Sequence, residues 1–240
     1  MSEPVRPSTV LPAHRTPFTV TTEDGCVLIG EVASPLNNPT ATLLMFHPNP
    51  TGGGMMDSHV YKKASNRLPA MAGITTVRFN TRGTTSEVGT STGTYGDGVT
   101  ERFDVQAMER YVLDELKLEN VWVVGWSFGT EIALKHVSDP RIKGLILLSP
   151  PMMKAQKSDL ERWAQDGRPV IALIPEFDDY LTPIEAPFKF RELTQVQLIN
   201  VDGAKHLWVG EPAVHRVLTE ITKIVAPQRL PLPTELPSAN

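Results

Sequence analysis

Short, largely apolar runs recur along the middle of the chain, and stretches with a helical pattern separate several of them. The six runs are four or five residues long and lie at 42–46, 75–79, 121–124, 145–148, 170–174 and 196–199. A short, continuously apolar run is typical of a strand that is covered on both faces of a sheet. The helical stretches lie at 57–72, 101–117, 128–138, 211–225 and, more briefly, 158–165. Strands that alternate with helices predict a parallel sheet with helices on both faces.

An antiparallel edge is predicted ahead of the first of these runs. Residues 18–21 and 26–29 are rich in strand-forming residues and flank Glu23-Asp24-Gly25, which is typical of a hairpin turn. With the six later runs, this hairpin gives an eight-stranded, mostly parallel sheet of the α/β class. We expect one domain over residues 17–226.

The two ends of the chain and one internal segment lack this alternation. Residues 1–16 contain three prolines and little pattern, so we expect a loose N-terminal arm. Residues 227–240 contain too many prolines for a helix or an inner strand, and we expect a disordered or extended tail with a Pro-x-x-Pro-like segment that could bind a partner domain. Residues 80–100 are dense in Gly, Ser and Thr. A loop of this length after a strand indicates a functional or mobile segment near the ligand crevice.

Composition narrows the classes of function only a little. The 240 residues are 40% hydrophobic and 21% charged, which is ordinary for a soluble globular protein. The net charge of −4 gives no basic surface for nucleic acid. The N-terminus lacks the apolar core of a signal peptide, and no stretch reaches the roughly 18 apolar residues of a membrane span, so we expect a cytoplasmic protein. The lone cysteine, Cys26, allows no intrachain disulfide and is expected to be a small buried strand residue.

The candidate chemistry centres on Gly125-Trp126-Ser127-Phe128-Gly129, which lies between a predicted strand and a predicted helix. A serine on a sharp strand-to-helix turn is held out of the sheet, where its hydroxyl meets the positive end of the helix. Such a turn is too tight for side chains at both flanking positions, which explains the two glycines. The pattern makes Ser127 a candidate nucleophile.

A serine hydroxyl needs a base to take its proton, and the base needs a carboxylate to orient it. His206 is the candidate base because it follows the last predicted strand and precedes the last helix. The candidate acid follows the strand at 170–174, where Asp178 is preferred and Asp179 is the alternative. The remaining histidines considered fall in the expected arm or on predicted helices: His14, His59, His136 and His215.

The order Ser127, Asp178, His206 resembles that of α/β-hydrolases, and the resemblance covers residues 17–225. Two further motifs contribute to it: His47-Pro48-Asn49-Pro50 after the third strand, and Arg78-Phe79-Asn80-Thr81-Arg82-Gly83 at the end of the fourth. The combination most resembles small, dienelactone-hydrolase-like members. Dienelactone hydrolases proper use a cysteine nucleophile, whereas this chain has a serine, so their particular reaction is not implied.

The resemblance also implies an oxyanion hole and a substrate pocket. The oxyanion donors would be the backbone N–H groups of Phe128 and, by resemblance, Asn49, since Pro48 and Pro50 have no N–H to offer. His47 is expected to brace its loop. Met55 and Met56 would either line an acyl pocket or pack against the next helix. Further candidates for the pocket or a small apolar cover are Met152, Met153, Trp126, Trp163 and Trp208. Only residues 149–169 separate two late strands, so an open site without a lid domain is expected.

These features predict a serine hydrolase that cleaves a carboxylic ester or thioester of a small molecule through an acyl-enzyme on Ser127. The same triad also permits acyl transfer, peptide cleavage, carbon–carbon bond hydrolysis or perhydrolysis, and the fold without activity could serve as a ligand-binding module. No cofactor or metal is implied, because the histidines are scattered and Gly52-Gly53-Gly54 lacks the spacing of a dinucleotide fingerprint. A monomer and a homodimer both remain open.

Overall fold

The computed structural model describes residues 2–237; Met1 and residues 238–240, which belong to the expected arm and tail, lie outside the described residues. The described strands are β1 (Ser2–Pro4), β2 (His14–Thr21), β3 (Val27–Ser34), β4 (Ala41–Phe46), β5 (Ile74–Phe79), β6 (Thr85–Ser86), β7 (Gly89–Thr90), β8 (Val121–Trp126), β9 (Leu145–Leu148), β10 (Val170–Phe177), β11 (Gln197–Lys205) and β12 (Glu235–Pro237). The described α-helices are α1 (His59–Ala72), α2 (Glu101–Arg110), α3 (Phe128–His136), α4 (Lys157–Asp166), α5 (Ala186–Lys189) and α6 (Glu211–Val225).

Eight of these strands form the main sheet, in the order β11-β10-β9-β8-β4-β5-β3-β2. All neighbours pair in parallel except β3, which is antiparallel to both β2 and β5. The predicted α/β fold, with a mostly parallel eight-stranded sheet and an antiparallel N-terminal hairpin, is confirmed. The order brings the carboxyl ends of β4, β8, β10 and β11 to one edge, where ligand sites of open α/β sheets lie.

The sheet is covered on both faces, which explains why its inner strands are continuously apolar. Along β8, Val121 and Val123 pack into one hydrophobic cluster, whereas Val124 and Trp126 pack into the other, as the period of two requires. Helices α2, α3 and α4 contribute to the first cluster, and α1 and α6 contribute to the second. Among residues 2–237, no helix is both long and apolar enough to cross a bilayer.

Several segments differ in detail from the sequence-based expectation. Residues 14–16, which the sequence assigns to the loose arm, form the start of β2; this strand lies at the sheet edge, where Pro17 is tolerated. At the other end of the described chain, β12 pairs with β1 in a separate two-stranded sheet. The Gly/Ser/Thr-rich segment 80–100 contains the short hairpin of β6 and β7. Helix α2 is shorter than predicted, because a π-helical turn, Tyr111–Glu115, replaces its last turns.

Candidate active site

Ser127 lies on a strained turn that joins β8 to α3. Its φ of 52° and ψ of −118° are rare for a residue with a side chain and cost about 1–3 kcal/mol. Close packing at the two flanking glycines restricts the turn to this conformation. A Cβ on Gly125 would lie 2.6 Å from the Gly129 carbonyl oxygen, and a Cβ on Gly129 would lie 1.9 Å from the carbonyl oxygen of Phe46. The two glycines therefore allow the serine to leave the sheet at its edge.

The structure brings Ser127, His206 and Asp178 together in a hydrogen-bonded row. His206 Nε2 lies 2.9 Å from Ser127 Oγ, and His206 Nδ1 lies 3.0 and 2.9 Å from the two Asp178 oxygens. With the proton on Nδ1, the ring donates to Asp178 and accepts from the serine hydroxyl. Asp178 and His206 are both nearly buried, at 7% and 6% exposure. Asp179, the alternative acid, is exposed and makes no contact with the ring.

The Asp178 carboxylate is held by the turn that follows β10. Its Oδ1 accepts hydrogen bonds from the backbone N–H groups of Tyr180, at 2.8 Å, and Leu181, at 3.3 Å. A short polar side chain that accepts from backbone N–H groups two and three residues later stabilises such turns. The carboxylate is thus fixed in position before it meets the imidazole.

The backbone and one face of His206 are also fixed. Its carbonyl oxygen accepts from the Trp126 indole N–H at 3.2 Å and from Ser149 Oγ at 2.9 Å. The Tyr180 ring packs against the imidazole, with 4.6 Å between ring centroids. This contact could not be predicted from the sequence, since Tyr180 belongs to no recognisable motif.

His59 is a second residue at this site that the sequence assigned only to a helix. It is the first residue of α1, and its Nε2 donates to the Trp208 carbonyl at 3.2 Å. Its ring packs edge-on against Trp126, with centroids 5.4 Å apart. Trp208 lies just after His206 with a φ of 53°, so this bond holds a strained part of the histidine loop. The position of His59 at the start of the helix after the glycine-rich loop was the only indication in the sequence that it lies at the site.

Two backbone donors border the same cavity as Ser127. Phe128 N–H is the first of α3, and Asn49 N–H lies in the turn after β4; neither has an acceptor among the described residues. The turn itself is rigid. The Asn49 carbonyl accepts from Gly52 N–H and Gly54 N–H, and its side chain accepts from Thr51 N–H. The two predicted oxyanion donors are thus unpaired among the described residues, and their residues line the same cavity as Ser127.

His47 joins the loop after β4 to the loop after β5. Its Nδ1–H donates to the Pro48 carbonyl at 2.7 Å, and its Nε2 accepts from Thr81 N–H at 3.0 Å. Burial lowers the pKa of His47 to about 4, so the ring is neutral near pH 7. These hydrogen bonds hold the two loops together, and neither ring nitrogen of His47 is hydrogen-bonded to Ser127, Asp178 or His206.

The arginine-containing motif also makes structural contacts. Arg82 donates to Asp104 on α2 and to Asp24 in the hairpin turn, with four side-chain bonds between 2.8 and 3.0 Å. Asn80 accepts from Met56 N–H and donates to Ser86. Arg82 and Asn80 therefore fix the loops that surround the site, and their side chains are not hydrogen-bonded to Ser127, Asp178 or His206.

Ser127 lies where two limbs of an open cleft meet. The glycine limb, of about 460 Å³, is lined by the loop around Gly52-Gly53-Gly54 and by Met55, His206, Leu207 and Val209. The lysine limb, of about 350 Å³, is lined by Tyr95, Asp97, Phe128, Met153 and Lys154, among others. Asn49, Ser127 and Tyr180 line both limbs.

Not every apolar residue expected in the pocket lies there. Met55 lines the glycine limb and Met153 lines the lysine limb. Trp126 borders the glycine limb, but its side chain is almost fully buried. Met56 is buried, which fits the packing alternative and not the pocket. The expectation is wrong for Trp208 and Trp163, which are fully buried in the core, and for Met152, which lines a separate depression beside α4 and α5. An apolar residue close to a motif can face the core or the cleft, and the sequence pattern does not distinguish the two.

The short connection after β9 is held close to the site. Glu131 on α3 is buried, and its carboxylate accepts from the backbone N–H groups of Met153, Lys154 and Ala155 at 2.5–3.1 Å. Hydrogen bonds to a charged acceptor are stronger than neutral ones, so this carboxylate fixes the connection firmly. Over residues 2–237, no three His, Cys, Asp or Glu side chains are grouped as metal ligands would be.

Similar solved structures share this architecture. An alpha-beta serine hydrolase homologue from Coxiella burnetii is 25% identical with a TM-score of 0.70, over 89% of this chain and 96% of that chain. A serine hydrolase without a lid from Xanthomonas campestris is 24% identical with a TM-score of 0.70, over 93% and 99%. The Pyrococcus furiosus esterase Pf2001 is 19% identical with a TM-score of 0.68, over 89% and 93%.

Comparison with curated protein sequences finds no match. Comparison with family models matches residues 42–173 to the alpha/beta hydrolase fold. That match includes the turn that carries Ser127 and ends before Asp178 and His206. Since it spans more than half of the sequence, and the sheet order and the turn agree with it, the chain belongs to the α/β-hydrolase family.

Proposed function

We propose that this protein is a serine hydrolase that cleaves a carboxylic ester or thioester through an acyl-enzyme on Ser127. The observation that carries the proposal is the row of hydrogen bonds from Asp178 through His206 to Ser127. A nucleophile, a base and an orienting carboxylate joined in a row by hydrogen bonds of 2.9–3.0 Å have the geometry of a triad.

Each atom in this row has a defined task. Ser127 Oγ attacks the acyl carbonyl carbon while His206 Nε2 takes the hydroxyl proton. The bond from the carbonyl carbon to the leaving oxygen or sulfur then breaks, and His206 gives that proton to the leaving group. A water molecule, deprotonated by His206, then attacks the carbonyl carbon of the acyl-enzyme; the bond from that carbon to Ser127 Oγ breaks, His206 returns the proton to Ser127, and the acid is released. Asp178 keeps the proton of the neutral ring on Nδ1 and stabilises the imidazolium.

The N–H groups of Phe128 and Asn49 are the proposed oxyanion donors. Negative charge develops on the carbonyl oxygen as the tetrahedral intermediate forms, and unpaired donors stabilise it without first breaking other bonds. The positive end of α3 adds to this effect. Loss of one such donor typically lowers turnover by about 10²–10³-fold.

The similar structures support a hydrolase, because they include proteins described as serine hydrolases and an esterase. The open cleft favours hydrolysis over transfer, since water reaches the acyl-enzyme without displacing a lid. Product analysis with and without an added acceptor alcohol separates the two reactions.

Labelling with a fluorophosphonate probe tests the proposal. The wild type is expected to be labelled, and Ser127→Ala is expected to lose the label entirely. Ser158→Ala is the matched control, because Ser158 is an exposed serine on α4. Labelling that persists in Ser127→Ala would overturn the assignment of the nucleophile.

A further inference from the structure

We propose that the two limbs of the cleft sort the substrate by polarity: the glycine limb takes an apolar leaving group, and the lysine limb takes an acyl group that bears a neutral hydrogen-bonding function such as a hydroxyl. This inference rests on the proposed function and names its substrate class. It goes beyond the triad, which specifies how an acyl group is attacked and not what the acyl group carries.

The direction of the substrate follows from where the base and the oxyanion donor lie. His206 lines the glycine limb and not the lysine limb, whereas Phe128 lines the lysine limb and not the glycine limb. The leaving oxygen must approach His206 Nε2 to receive its proton. The leaving group therefore extends into the glycine limb, and the acyl chain extends the other way. Met55, expected from sequence at an acyl pocket, then contacts the leaving group.

The glycine limb is uncharged and has room for a bulky group. No Lys, Arg, Asp or Glu side chain lines it among the described residues. Leu207 and Val209 lie at its rim and are 53% and 74% exposed, so an apolar ligand would remove their side chains from water. A Cβ built on Gly52 or on Gly53 would meet nothing within 4 Å, which leaves the limb unobstructed there.

The lysine limb contains three hydrogen-bonded side chains, Tyr95, Asp97 and Lys154, which come from two loops. Asp97 Oδ1 accepts from Tyr95 Oη at 2.9 Å and from Lys154 Nζ at 2.6 Å. Glu131 fixes the backbone of Lys154, and Glu101 accepts from the N–H groups on both sides of Asp97, at Gly96 and Gly98. The Gly/Ser/Thr-rich segment thus supplies one wall of this limb.

The Asp97–Lys154 pair determines which substituent on the acyl chain this limb accepts. Asp97 already neutralises Lys154, so a second carboxylate would face Asp97 without an unpaired positive charge among the residues that line the limb. Lys154 Nζ has other N–H donors, and Asp97 Oδ2 has no partner among the described residues. A hydroxyl group can accept from the lysine and donate to the aspartate at once. The pair therefore suits a neutral hydroxyl better than a charged or an apolar acyl chain.

Two isomeric esters test the inference directly. Hexyl ω-hydroxyhexanoate places the hydroxyl in the acyl part, and ω-hydroxyhexyl hexanoate places it in the leaving group, with the same atoms in both. The wild type is expected to hydrolyse the first with a kcat/KM higher by about tenfold or more, which corresponds to one good hydrogen-bonding interaction. Equal values, or a preference for the second, overturn the inference.

Two matched pairs of variants assign the preference to the limbs. Lys154→Met is expected to reduce the isomer preference, whereas Lys157→Met, which alters an exposed lysine on α4, is expected to keep it. Leu207→Ser is expected to lower kcat/KM for hexyl esters more than for methyl esters. Leu36→Ser, at a similarly exposed leucine away from the cleft, is expected to change neither. An isomer preference unchanged in Lys154→Met, or a hexyl-to-methyl ratio unchanged in Leu207→Ser, contradicts the assignment of that limb.

Labelling separates failure of this inference from failure of the proposed function. If the fluorophosphonate probe does not label Ser127 and no ester is hydrolysed, the proposed function fails and the inference fails with it. If Ser127 is labelled but the isomers are hydrolysed equally, or neither is hydrolysed, only the polarity assignment is overturned.

Discussion

The Cα atom of Gly129 packs directly against the carbonyl group of Phe46, so closely that a Cβ would lie 1.9 Å from the oxygen. This contact joins the start of α3 to the end of β4 and therefore ties the two parts of the proposed oxyanion hole together. Phe128 N–H lies on one side of it, and the loop that carries Asn49 N–H continues from the other. This backbone contact thus fixes the start of α3 against the strand end from which the Asn49 loop continues.

Replacing Gly129 with alanine is expected to disrupt this arrangement. A methyl group at 1.9 Å must displace backbone, and overpacking of this kind costs about 3 kcal/mol or more. For a chain of this size, each kcal/mol lowers Tm by roughly 2–4 °C. Thermal unfolding followed by circular dichroism measures the effect, with Gly52→Ala as the control because a Cβ there meets no atom. A Gly129→Ala variant with the Tm and labelling rate of the wild type would show that the contact is unimportant.

Asp178→Asn is expected to lower kcat by about 10⁴-fold with a small effect on KM, since the amide no longer favours the proton on Nδ1. Asp179→Asn provides the matched control, because Asp179 is adjacent in sequence and exposed. Steady-state kinetics with a p-nitrophenyl ester measures both variants. Equal activity of the two, or a larger loss in Asp179→Asn, would show that the acid is misassigned.

Acidification is expected to destabilise the protein through His47. Its pKa is lowered by burial from an ordinary value of 6.5 to about 4, so below pH 6.5 the unfolded chain binds a proton that the folded protein does not. Stability contributed by the neutral ring is therefore present above pH 6.5 and is lost as the pH falls toward 4. The loss between about pH 7 and pH 4.5 is on the order of 2–3 kcal/mol.

The variant His47→Gln isolates this contribution. Glutamine retains a donor and an acceptor but does not titrate in this range, so other acidic groups affect both proteins alike. Urea unfolding at the two pH values is expected to show a larger loss of stability for the wild type than for His47→Gln. If the two proteins lose the same amount, the buried histidine does not account for the pH dependence.

The sequence predicted those features that depend on local pattern. Continuously apolar runs identified the inner strands, and the Gly-x-Ser-x-Gly turn identified Ser127, because both are properties of a few adjacent residues. The order of the acid and base candidates followed from where the later strands end. The structure brings these residues together, with Asp178 rather than Asp179 against the imidazole.

Features that depend on long-range packing could not be predicted in this way. The start of β2 is polar and forms only because β3 provides backbone partners, and β1 pairs with a segment more than 200 residues away. The contacts of His59 with Trp208 and of Tyr180 with His206 join separate elements. The burial of Trp208 could likewise not be predicted, since proximity to a motif does not indicate whether a side chain faces the core or the cleft.

Direct detection of the acyl-enzyme tests the central claim most sharply. The protein is mixed with p-nitrophenyl acetate, quenched in acid during turnover, digested and analysed by mass spectrometry. We expect one added acetyl group on the peptide that contains Ser127, with none on that peptide in Ser127→Ala. Ester hydrolysis with the acetyl group on another residue, or with undiminished turnover in Ser127→Ala, would contradict the account.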